Sequence, residues 1–185
     1  FTHEHVDHLY GLDDVRCYCF DRNNIPLPCY GDNRTLTRIK KVFDYAFDTK
    51  APSSTPNLDL VEINGPFEVC GLNVVPIEVL HGRLPVLAFR IGNFAYVTDT
   101  NNIGEINFSK LIGLETLVLG ALRHKPHPTH YNIDQALEII GRLKPQKSFL
   151  THIAHDIDHH ITNASLPEGV ELAFDGLTFK TNFNK

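Results

Sequence analysis

Near the start of the chain, Thr2-His3-Glu4-His5-Val6-Asp7-His8 packs three imidazoles and two carboxylates into a few positions. His3, His5 and His8 together with Asp7 cannot all face one way on a regular helix or strand, whose periods are 3.6 and 2. The spacing therefore predicts a loop folded around something that takes nitrogen and oxygen donors, and the simplest such thing is a metal. His3 and His5, two apart, can point to one side and hold one ion. Asp7 and His8 then turn the chain toward a second. A purification tag would not carry the inserted Glu, Val and Asp, and the following Leu9-Tyr10-Gly11-Leu12 continues as folded sequence.

A paired-ion site needs more donors, and the chain offers them at the ends of apolar runs. His81 follows Val74-Val75-Pro76-Ile77-Glu78-Val79-Leu80, Asp99 follows Phe94-Ala95-Tyr96-Val97-Thr98, and His152 follows Ser148-Phe149-Leu150-Thr151. Strand ends are rigid in backbone yet let side chains reach a cleft, so they suit ligands. Taken singly each would read as a polar strand end; together, downstream of the opening cluster, they read as a set.

The rest of the pattern is mixed α and β. Residues 33–48 form an expected helix capped by Asn33, with Leu36, Ile39, Phe43, Ala46 and Phe47 on one face. Its other face, with Arg34, Arg38, Lys40 and Lys41, reads as solvated. A loop is expected over 49–57, around Pro52, Ser53, Ser54 and Pro56. Strand-like runs at 60–63, 72–80, 86–91 and 94–98 are separated by glycine-containing turns and predict hairpins. Further strands are expected at 117–122, 148–151 and 170–174. Between them Ile133, Ala136, Leu137, Ile140 and Leu143 mark a helix, capped by Asn132 with Gln135 at the box position and stopped by Pro145.

Composition narrows the function. With 185 residues, 42% hydrophobic and 21% charged, the chain is long enough for one domain with a core, and disorder, collagen and coiled coil are excluded. No apolar run approaches the roughly 20 residues of a membrane helix, and the first residues do not read as a signal peptide, so a soluble, cytoplasmic protein is expected. Seventeen Lys and Arg against 22 Asp and Glu give a net charge of −5, which argues against nucleic acid as a partner. Eleven His again point to metal or proton chemistry. The four cysteines read as reduced thiols, and Cys17 and Cys19 lack a second half for a zinc site. The chain starts at Phe1 and contains no Met, so it reads as a piece of a longer product or as one that has lost residues.

From residue 2 to about 178 the sequence resembles the metallo-β-lactamase superfamily, whose signature is H-x-H-x-D-H followed by a later His, a later Asp and a last His. The resemblance implies an α/β, αββα sandwich: a single domain over 1–185 that lacks the N-terminal part of its first sheet. It implies that His3, His5 and His81 hold one divalent ion, that Asp7, His8 and His152 hold another, and that Asp99 bridges both. Zn²⁺ leads, with Mn²⁺ and Fe²⁺ accepted by the same donors. With the strand ahead of His3 absent, the opening motif is expected to be poorly anchored. Pairing with a second copy through the exposed sheet edge follows as a further expectation.

Within the superfamily, Gly11-Leu12-Asp13-Asp14 and the block Arg123-His124-Lys125-Pro126-His127-Pro128-Thr129-His130-Tyr131-Asn132 look like the branch containing the phosphoribosyl cyclic phosphate phosphodiesterases. The resemblance implies hydrolysis of a small cyclic or nucleotide-like phosphate ester by a hydroxide activated between two metals. RNA 3′-end cleavage and a non-catalytic metal or ligand carrier are the alternatives. His130 is the candidate general acid, on the argument that an imidazole of pKa near 6.5 can protonate a leaving oxygen, and Asp7 is a second catalytic candidate. Arg123, His124 and His127, with Lys125, form a candidate phosphate clamp. Asp13, Asp14 and Arg16 read as support for metal-bound His or as helix surface, and His155, His159 and His160 as surface or structural.

Overall fold

A computed structural model describes residues 1–21, 23, 25–48 and 55–181. Most of the expected loop over 49–57 therefore lies outside the described residues. The chain forms two compact units, Phe1–Gly65 and Pro66–Lys185.

The first unit opens with a single helical turn, α1 (Val6–Leu9), a 3-10 stretch (Tyr10–Val15) and α2 (Arg16–Asp21). Strand β1 (Leu27–Gly31), α3 (Asn33–Val42), a 3-10 turn (Asp44–Ala46) and β2 (Leu58–Glu62) follow. β1 and β2 are parallel, Leu27 opposite Leu58 and Gly31 opposite Glu62. A parallel pair needs a crossover, and α3 lies in it. Leu36, Ile39 and Phe43 turn inward onto Leu9, Leu12, Cys29 and Leu58. Burying such side chains contributes about 1.5–3 kcal/mol each, which is what holds so short a helix. The cap is Asp32 rather than Asn33: Asp32 is extended and accepts from Thr35 N at 2.8 Å. The helix also stops at Val42, short of the expected Asp48, because Phe43 leaves helical geometry with ψ 39°.

The second unit is a seven-stranded sheet in sequence order: β3 (Phe67–Val69), β4 (Leu72–His81), β5 (Leu84–Ile91), β6 (Phe94–Val97), β7 (Thr116–Gly120), β8 (Lys147–Thr151) and β9 (Val170–Leu172). β4 to β6 are antiparallel hairpins, as the turn signals predict, and β6 to β9 are parallel. The short β3 that pairs with β4 was not expected, and the run 60–63, expected to join the hairpins, lies in β2 and pairs parallel with β1 instead. The crossovers carry α4 (Glu105–Phe108), α5 (Ile133–Leu143) and α6 (His159–Ser165). β7 is buried at every position, as a central parallel strand covered on both faces should be. α5 lies where its apolar period places it. Asn132 Oδ1 accepts from Gln135 N at 2.9 Å and Gln135 Oε1 accepts from Asn132 N at 3.0 Å, closing the capping box. No helix among the described residues is long and apolar enough to cross a membrane.

Candidate metal centre

In the first unit the chain bends at Glu4, and His5, extended with ψ 149°, caps α1, its carbonyl accepting from His8 N at 3.1 Å. The turn gathers the rings: His3 lies 4.5 Å from His5 and 4.3 Å from His8 between centroids, and Asp7 Oδ2 is 3.3 Å from His8 Nε2. His3 is fully buried. Thr2 Oγ1 sits 3.0 Å from His3 Nδ1, a contact that orients the ring.

The motif is well anchored, contrary to expectation. Arg34 Nε donates to the Glu4 carboxylate, and Arg34 Nη2 lies 3.6 Å from Asp32 Oδ2. So Arg34 is not part of a merely solvated face; it fastens the motif loop to α3. Asp13 pairs with Arg16 at 2.9 Å and accepts from the Tyr45 hydroxyl, which makes it a surface residue.

In the second unit the candidates converge at the carboxyl ends of β4, β6 and β8, the end of a sheet at which open α/β folds bind ligands. His81 is the last residue of β4, Asp99 follows β6 and His152 follows β8. Asp99 and His152 both hold left-handed backbone, φ 52° and 58°, which costs a non-glycine residue of order 1 kcal/mol or more and is characteristic of functional sites. Asp99 is 2% exposed; Thr98 Oγ1 donates to its Oδ2 at 2.7 Å, while its Oδ1 faces His152 Nε2 at 3.3 Å and His130 Nδ1 at 3.8 Å. His81, Asp99 and His130 bring one donor atom each within 4.8 Å of one another. His152 stacks on His130 at 5.1 Å, and His127 approaches His130 at 5.0 Å.

Two backbone features shape this cluster. His81 Nδ1 donates to Thr129 O at 2.8 Å, which fixes the tautomer with Nε2 as the unprotonated nitrogen. At Gly82, φ is +66° and an added Cβ would stand 2.9 Å from Thr129 Cγ2, so neither the turn nor its neighbour leaves room for a side chain.

The premise behind the general acid changes. Burial pushes His130 down to about 4, against the opposing pull of Asp99, with His81, His152 and His127 adding to the fall. At neutral pH the ring is therefore a neutral imidazole, and an anion beside it would raise its pKa.

The expected phosphate clamp does not form as a unit. The Arg123 guanidinium donates to the carbonyls of Lys125 and Pro126 at 3.2 and 3.0 Å, which stiffens its own loop. Exposed His124 bonds Thr162 on α6 at 3.2 Å. Only His127 of the three stands with the His cluster. Among the expected structural histidines, His159 Nε2 donates to Ala173 O at 3.2 Å. The reading from sequence passed over Thr98, Asn101 and Thr129; the polar run Thr98-Asp99-Thr100-Asn101-Asn102 was the signal that could have raised the first two.

Residues 1–153 match the family model described as the beta-lactamase superfamily domain. The chain belongs to the metallo-β-lactamase superfamily. Its fold members are mostly hydrolytic and bind divalent metal, and the donors described above are of the types such ions take. A crystal structure of a new diphosphatase from the PhnP family is 37% identical and superposes with a TM-score of 0.89, covering 98% of this chain and 70% of that one. Human tRNase Z, short form, shares the fold at 15% identity and a TM-score of 0.67, covering 95% of this chain and 75% of that one. A protein named octanoyltransferase from Porphyromonas gingivalis (strain ATCC BAA-308 / W83) is 36% identical over 180 residues, 95% of this chain; the chain spans only 36% of that relative's length.

Proposed function

We propose that this superfamily member is a metal-dependent phosphodiesterase acting on a small cyclic or nucleotide-like phosphate ester. The observation that carries the reading is the 37% identity to the PhnP-family diphosphatase across nearly the whole chain. The donor chemistry supports it. His3, His5 and His81 would hold one ion, Asp7, His8 and His152 a second, with Asp99 shared, which is the superfamily pattern carried onto this sequence.

The residues fit such ions: nitrogen and oxygen donors, rings oriented at Nδ1 by Thr2 and Thr129, and a carboxylate fixed by Thr98. When bound, two divalent ions, Zn²⁺ foremost, supply the positive charge that acidifies water and neutralises phosphate. Asp99 fixes the geometry of the donors around it. Asp7, beside His8 at 3.3 Å and 59% exposed in its side chain, would orient an attacking water in line with phosphorus. His130 faces Asp99 through Nδ1, which leaves Nε2 for the leaving oxygen. A phosphate anion beside the ring would raise its pKa from about 4, so that it takes a proton from solvent and gives it to the leaving oxygen as that P–O bond breaks and the water oxygen bonds to phosphorus. His127 lies next in line to contact the phosphate. The free thiols at Cys17, Cys19, Cys29 and Cys70 suit a reducing, cytoplasmic setting.

The test is hydrolysis of bis(p-nitrophenyl) phosphate and of cyclic sugar phosphates by the chain loaded with Zn²⁺ or Mn²⁺. Turnover that falls at least 100-fold in Asp99→Ala supports the reading. Equal rates in wild type and variant, or no hydrolysis at all, overturn it. RNA substrates across a salt titration and an octanoyl ester form the comparison arms: preferential cleavage of either transfers the assignment to that class.

A further inference from the structure

We propose that Asn101 is a positioning residue for the His81 imidazole: its carboxamide fastens the turn after His81 to the loop whose Thr129 carbonyl fixes that ring. An Asn side chain offers an acceptor and two donors on one planar group, so it can satisfy an amide N–H and a carbonyl at once. Here Oδ1 accepts from Gly82 N at 2.9 Å and Nδ2 donates to Pro128 O at 2.9 Å. Gly82 is the residue after His81, and Pro128 is the residue before Thr129. One side chain thus spans the two peptide groups that flank the His81–Thr129 hydrogen bond.

The base of this clamp is itself fixed. Asn101 N and Thr100 Oγ1 both donate to Leu80 O, at 3.0 and 2.8 Å, and Tyr131 N donates to Thr100 O at 2.8 Å. Segment 100–102 is therefore a crossbar between the end of β4 and the loop carrying His127, Thr129 and His130. The 2.9 Å gap that a Cβ on Gly82 would leave to Thr129 shows how closely the two sides approach, so a slip of either is felt by the other. The length of the His81 Nδ1–H···O bond depends on that spacing, and the bond sets both the tautomer and the aim of Nε2. Outer partners of metal-bound His change metal affinity about 10–100-fold when lost.

This inference rests on His81 being a ligand, and the experiment separates the two ideas. Asn101→Leu removes both bonds. Asn101→Asp keeps the shape and the bond to Gly82 N but sets two acceptors face to face at Pro128. Asn102→Ala is the control, since Asn102 Oδ1 accepts from Gly104 N at 2.8 Å, away from Gly82 and Pro128. In the metal-free chain, ¹⁵N NMR should show a slowly exchanging His81 Nδ1–H in wild type and in N102A, and lose it in N101L and N101D. Zn²⁺ affinity, read by competition with a chromophoric chelator, should weaken about 10–100-fold in both Asn101 variants and not in N102A. A retained resonance and unchanged affinity in N101D, or an equal loss in N102A, overturns the role of Asn101. Should N101L fail to fold, N101D still decides. If wild type takes up no Zn²⁺, the ligand assignment fails, while the proton resonance alone still decides the role of Asn101.

Discussion

At the scale of single residues, His130 concentrates the physics of the second unit. Its side chain is 13% exposed, it faces one carboxylate, and three other imidazoles surround it. Desolvation and like-charge neighbours outweigh Asp99, so the folded chain binds its proton only near pH 4, whereas an unfolded histidine does so near 6.5. The sign of the linkage follows. Between these values the unfolded chain holds a proton that the folded one lacks, so this contribution to stability is complete above 6.5 and is lost as pH falls toward 4. In the metal-free chain, the His130 ring signals should stay those of neutral imidazole down to about pH 5. The drop in urea midpoint from pH 7 to pH 5 should be smaller in His130→Gln than in wild type. A ring that titrates near 6.5 would show that burial does not govern it.

Elements show which sequence signals carry. α5 was legible to the residue because its cap, its box partner and its apolar stripe are all local, and no competing contact displaced them. Asn132 also donates from Nδ2 to His124 O at 3.0 Å, so it joins the helix start to the His-rich loop. Asn132→Ala should cost about 1–2 kcal/mol, read as a lower denaturation midpoint with unchanged slope. No change would mean that the box is idle. α3 was legible in its inner face but not in its ends: both Asp32 and Asn33 are good caps, and only the extended backbone at Asp32 chooses between them. β1 was missed because Leu27-Pro28-Cys29-Tyr30-Gly31 has neither alternation nor β-branched residues; its pairing with β2 makes it a strand. α6 was missed because His159-His160-Ile161-Thr162 lacks an apolar period, and its start is set by the Asp158 cap on Ile161 N.

For the molecule as a whole, metal should act as a stabilising ligand. A site occupied at about 100 times its Kd adds about 2.7 kcal/mol to the folded state, which for a chain of this size raises Tm by roughly 5–10 °C. Thermal unfolding with Zn²⁺ and after exhaustive chelation should differ by that amount, and the difference should vanish in Asp99→Ala. Identical curves for loaded and stripped wild type would contradict metal binding in the folded chain.

By itself the sequence determined the family, the kinds of donor and their order along the chain, because H-x-H-x-D-H and the strand-end His and Asp are local patterns that survive without knowledge of neighbours. Tertiary structure decided what each side chain then does. It turned Arg123 and His124 to other partners, recruited Arg34 to Glu4, aimed His81 with a carbonyl 48 positions away and lowered the pKa of His130. Desolvation and hydrogen-bond geometry are sums over residues distant in the chain, and no spacing rule encodes such sums.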